Sequence, residues 1–178
     1  MDTVENVEEK GSLITKYKPG DKLHYPGRGV VEVVEIEERD LAGTGMALLY
    51  RIRVCATDFK ILVPIDNVEK MGIRPIISES DVVRVFTVLK EQKVFDRTKG
   101  LVLKDYSRLK EMLGSSSILE VANLVGELMT LRVNGALSFK GNQILETALG
   151  FVAKEVAEVT EKTEEQVTAE IKAVFDFH

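Results

Sequence analysis

The chain has 178 residues, 44% of them hydrophobic, with a net charge of -5 and one cysteine, Cys55. That supplies a core for one or two compact domains and excludes a disordered chain, an internal disulfide and a multi-cysteine zinc site. No apolar run is long enough to cross a bilayer, and the acidic opening "MDTVENVEEK" lacks a secretory signal core, so a cytoplasmic location is expected.

Residues 1–15 read as a polar, flexible leader. From Lys16 the β signals dominate. "DKLHY" gives a short first strand, and "PGRG" a turn in which Gly27 and Gly29 can take positive φ without a Cβ penalty. "VVEVVEIEE" is a long strand whose alternation falters at Val33 and Val34, the pattern of a bulge or a barrel corner. "LAGTGM" is a hairpin connection, and "ALLYRIRV" alternates, with Leu48, Tyr50, Ile52 and Val54 on one face and Leu49, Arg51 and Arg53 on the other. "FKILVP" ends at Pro64 or runs along an edge there. "PIDNVEKMGIRPI" returns across the sheet through a short helical turn, with Arg74 extended before Pro75.

From Ser78 the period becomes helical. Ser78 and Asp81 form a capping pair, and Val82, Val83, Phe86 and Leu89 are expected along one side of a helix. "LVLKDYSRLKEML" repeats Leu103, Tyr106, Leu109, Lys110 and Leu113 at helical spacing. Ser117 is the expected N-cap of "ILEVANLVGELMTLRV", which Asn134-Gly135 ends. A further helix starts near Ser138 with Ile144, Leu145, Ala148, Phe151, Val152 and Val156 inward, and Thr163 with Gln166 caps the last one. The expected fold is α+β: a small β-barrel or twisted sheet over residues 16–76, then a compact helical bundle over 77–178.

Charge is distributed unevenly. Residues 84–110 carry eight basic side chains against three acidic ones, whereas Glu111 to His178 carries five against eleven. A phosphate-binding surface needs local rather than global positive potential, but the same pattern fits a solvated helical surface.

No strong catalytic constellation is present. Glu35, Glu37 and Glu38 fit a solvated strand face, and Cys55 reads as a small hydrophobic residue closing a sheet, since no histidine lies near it in sequence. "GRG" and "GTG" do not complete a dinucleotide or phosphate-loop pattern. His24 and His178 have no metal-ligand spacing, and a packed or exposed structural histidine is the default for His24. The reading is of a protein without catalytic activity, cofactor or metal. Arg39, Arg51 and Arg53 fit either a solubilising face or a protein interface.

The order of "PGD", "YPGRGVVEV", "IEER", the "LVP" strand end and "GIRPI", from Tyr17 to about Glu91, resembles the CarD/CdnL family of bacterial transcription regulators. "YSRLKEMLGSS", "LVGELM" and "LSFKGNQIL" are compatible with its helical part. The β domain is also similar to the polymerase-binding module of transcription-repair coupling factors. The resemblance implies a Tudor-like domain that binds the β subunit of bacterial RNA polymerase. It further implies a helical domain that touches promoter DNA near the upstream edge of the bubble and modulates open-complex stability. A monomer associated with the nucleoid through polymerase is the simplest expectation. The alternative is a polymerase-associated adaptor whose helical domain binds protein.

By the same resemblance, Arg39 falls where the family presents an arginine to polymerase. A second basic position falls on Leu62, with Arg53 and Lys60 as substitutes. Lys104 matches a basic DNA-contact position, Tyr106 an aromatic packing position, and Asp105 replaces a basic residue. A later basic position falls on Asn142, with Lys140 nearby; Lys99 and Arg108 complete the expected DNA-facing set. Many relatives wedge a tryptophan into distorted DNA. This chain has none, and Val102 stands there, with Leu101 and Leu103, as either an aliphatic wedge or core packing.

Overall fold

The computed structural model describes residues 15–43, 45–91 and 105–176; the leader up to residue 14, and the expected contact residues Lys99, Val102 and Lys104, lie outside them. The first half forms β1 (Lys22–Tyr25), β2 (Gly29–Asp40), β3 (Met46–Val54), β4 (Lys60–Pro64), a 3-10 turn at Ile65–Asn67, and β5 (Arg74–Pro75). The strands pair antiparallel in the order β4-β3-β2-β1-β5. Of the two expected forms, this is the open sheet, with β4 and β5 at its edges and, among the described residues, no barrel closure.

Alternation sets the two faces. Val31, Val33, Tyr50, Ile52, Val54 and Val63 point into a core completed by Tyr17, Leu23, Val68 and Ile73. The faltering period at Val33 and Val34 is a bulge: the β2–β3 register shifts between Val33 and Glu35. One extra residue there puts Glu35, Glu37 and Arg39 on the same outer face as Glu32.

The second half forms α1 (Glu79–Glu91), α2 (Tyr106–Leu113), α3 (Ile118–Val133), α4 (Phe139–Thr160) and α5 (Glu164–Ala173). Helix α3 is central and packs against α1, α2 and α4, burying Val121, Leu124, Val125 and Leu128. Each such side chain contributes about 1.5–3 kcal/mol through its removal from water. Helix α5 is held by α4 and begins at a capping box, where Thr163 Oγ1 accepts from Gln166 N and Gln166 Oε1 accepts from Thr163 N.

Ser138 caps α4 by accepting from Gly141 N at 3.1 Å. Ser117 occupies the N-cap of α3 but makes no side-chain capping bond. Val83 departs from expectation, being 68% exposed. Val82, Val85, Phe86 and Leu89 follow the i, i+3, i+4, i+7 spacing that faces the core, and Val83 falls outside that stripe.

Candidate functional site

The outer face of the sheet is a ladder of opposite charges. Across β2, β3 and β4 the rows read Glu32–Arg53–Lys60, Glu35–Arg51–Leu62 and Glu37–Leu49–Pro64, with Arg39 beside Ala47 at the far end. Arg51 pairs with both Glu35 and Glu37. Arg53 donates to Asp58 Oδ1 at 2.8 Å and to Glu32, and these bonds, Asp58 first, hold its guanidinium above its usual pKa. Arg39 Nε lies 2.7 Å from Glu37 Oε1, and its side chain is 53% exposed.

Arg53 and Lys60 are therefore cross-strand neighbours, while Arg39 shares their face but sits six residues further along the ladder. At about 3.4 Å per residue that is roughly 20 Å. Leu62, where a basic residue was expected, is partly exposed beside Arg51. Strand β1 covers β2 only from Gly29 to Glu32. Among the described residues, no strand pairs with that edge of β2 from Glu35 to Asp40, so Arg39 stands on an open edge.

At the other end of the molecule the N-termini of α2 and α4 meet. Asp105 caps α2, its Oδ1 accepting from Ser107 N at 3.0 Å and Arg108 N at 3.4 Å. Tyr106 Oη is 2.8 Å from Ser138 Oγ, which joins the two caps, and Lys140 Nζ lies 5.4 Å from the Tyr106 ring centroid. Of the expected DNA-facing residues, Arg108 and Lys140 are exposed near this end of the bundle. Asn142 donates its side-chain amide back to Ser138 O at 3.1 Å.

Phe139, which sequence reading passed over, is 79% exposed on the first turn of α4. Its signal was legible: the inward stripe of that helix runs through Leu145, Ala148 and Val152, and Phe139 lies off it.

A third cluster, also unforeseen, joins the two halves. His24 on β1 and Glu155 on α4 are 1% and 0% exposed, with His24 Nδ1 at 3.1 Å from Glu155 Oε2. Arg74 on β5 donates to Glu155 Oε1 at 2.6 Å and Oε2 at 3.3 Å, and Ile77 N donates to Oε1 at 3.0 Å. Burial pushes the Glu155 carboxyl up, but its bonds with His24 and Arg74 outweigh this and hold it below its usual value. His24 keeps the packed, structural role expected for it. A glutamate on the inward stripe of α4 was the one local oddity in the sequence and named no partner; in the fold, Leu23 and His24 are consecutive buried residues on one short strand. Both are explained by β1 being covered on both faces.

Burial raises the Cys55 thiol, which disfavours the thiolate that a nucleophile needs. No group of three or more metal-ligating side chains occurs among the described residues, and no described helix is long and apolar enough to cross a membrane.

An open antiparallel sheet, its charged outer face free at one end and keyed to a helical bundle at the other, is the build of a two-part interaction protein. Residues 17–77 match the family model of the CarD-like/TRCF RID domain, and residues 84–172 that of the CarD, C-terminal domain. The chain belongs to the CarD/CdnL family. Membership supports a general regulatory role associated with RNA polymerase, and the family's domains are non-catalytic regulators.

Proposed function

We propose that this chain binds the β subunit of bacterial RNA polymerase through its sheet and modulates promoter open-complex stability by touching upstream DNA with its bundle. The observation that carries the reading is the open edge of β2 from Glu35 to Asp40, with Arg39 on it. An unpaired edge offers backbone hydrogen bonds to a partner strand, and arginine's fork adds a carboxylate contact. Arg53 and Lys60 form a second, separate contact on the same face. In this reading residues 16–76 act as the polymerase-binding unit and residues 77–178 as the DNA-contacting unit of a monomer that follows polymerase to the nucleoid.

Arg108 and Lys140, with Lys99, Val102 and Lys104 from the segment before α2, are assigned to DNA. Few cations suffice, because tethering by polymerase raises the effective concentration of the bundle at the promoter. Phe139 adds an apolar surface of the kind that packs against unstacked bases.

One observation favours the adaptor alternative: Phe139 is accompanied by a net acidic stretch from Glu111 onward, which suits a protein partner of the bundle. Binding of the purified chain to RNA polymerase, with and without promoter DNA over a range of salt, separates the two. If all four assigned cations contact phosphates, the slope is about -3.6 in log affinity against log salt for the DNA-dependent part. Polymerase binding without any DNA-dependent, salt-sensitive gain selects the adaptor, and no binding at all rejects both.

A further inference from the structure

We infer that the buried Glu155–Arg74–His24 cluster is a positioning device that fixes the angle of the helical bundle on the sheet. Glu155 is one carboxylate reached from three segments: Arg74 on β5 and the Ile77 N–H in the connection to α1 donate hydrogen bonds to it, and His24 Nδ1 on β1 lies 3.1 Å from its Oε2. Arg74 continues the link, its Nε donating to the carbonyl of Ser116 in the loop between α2 and α3. Lys22 pairs with Glu158 one turn further along α4.

Shape reinforces this joint. A Cβ placed on Gly29 would come within 2.9 Å of the Phe151 ring, and one on Gly72 would lie 3.1 Å from Pro26 and 3.4 Å from Ser116. Apolar contact alone is non-directional and would tolerate sliding between sheet and bundle. A guanidinium fork reaching both oxygens of one carboxylate has angular requirements that sliding would break. A buried ion pair adds little net stability relative to apolar packing, and in this inference its contribution is to select one arrangement of bundle on sheet.

The functional consequence rests on the polymerase and DNA reading above. A regulator held by its sheet can place Arg108 and Lys140 against one stretch of DNA only if the bundle keeps a fixed direction. Loss of the cluster should then leave polymerase binding intact and shorten the lifetime of the promoter complex.

The test is a set of residual dipolar couplings on the isotope-labelled full chain. In the wild type, sheet and bundle should fit a single alignment tensor. In Glu155→Gln, which keeps the shape and removes the charge, each unit should retain its own internal fit while the common tensor is lost. Arg74→Gln, at a partly exposed edge-strand position, gives the same readout should the Glu155 variant fail to fold. A single common tensor in the folded variant would overturn the inference. Because the couplings involve neither polymerase nor DNA, split tensors in a chain that never binds polymerase would sustain the joint and reject the regulatory reading.

Discussion

Arg53 on the outer face of the sheet and Arg74 at the joint each hold carboxylates, but water reaches the partners of the first and not the partner of the second. Arg53 bridges Glu32 and Asp58, and the Asp58 side chain is largely solvated. Arg74 reaches a Glu155 that is wholly buried. Exposed pairs are screened and easily exchanged, so the ladder on the sheet can release an arginine to a partner's carboxylate at little cost. A buried pair cannot be exchanged in place, because removing one member strands the other away from water. In the proposed reading the same chemistry serves recognition at one end of the face and fixed geometry at the other.

This contrast is broken first at Glu155. Replacement by alanine should destabilise the chain by about 3 kcal/mol, read from urea denaturation, because it removes the acceptor of several bonds and leaves a cavity. A change below 1 kcal/mol would put the joint on a par with a surface pair.

The next effect is proton-linked. The folded Glu155 carboxyl titrates below its usual value of 4.5, so its stabilisation is fully present above that pH and is lost as pH falls through the lower folded value. Acid unfolding of the wild type should therefore steepen below about pH 4.5, and Glu155→Gln should lack that contribution. Parallel acid transitions in the two proteins would contradict the assignment. The smallest effect is expected at Arg53. Its replacement by alanine should leave the urea midpoint within measurement error, and a clear shift would mean that the outer ladder is structural rather than available.

Much of this architecture was legible, for local reasons. Alternation in "ALLYRIRV", the bulge at Val33 and Val34, and the Thr163–Gln166 cap all depend on residues close in sequence, and each took its expected form. Val83 was misplaced because, at 100° per residue, it turns outside the side of the helix shared by Val82, Val85, Phe86 and Leu89. The joint was not legible because its members are far apart: His24 and Glu155 are separated by most of the chain, and nothing local pairs them. Asp105 stands where the family resemblance expects a basic residue; that its carboxylate also caps α2 was not legible, because the role needs the helix boundary to be known. Arg39 and its open edge were half legible. The sequence places the arginine near a strand end, but only the short span of β1 shows that β2 continues unpartnered on that side.

The central claim is that this face binds polymerase, and the most direct measurement is the affinity of wild type and Arg39→Glu for the purified RNA polymerase β subunit. Arg39 is exposed and has one carboxylate neighbour, so the variant should fold normally. The account predicts a loss of affinity of at least about tenfold, the equivalent of about 1.4 kcal/mol, with the wild type binding in the absence of DNA. Equal affinity of a folded Arg39→Glu variant would contradict the assignment of this edge.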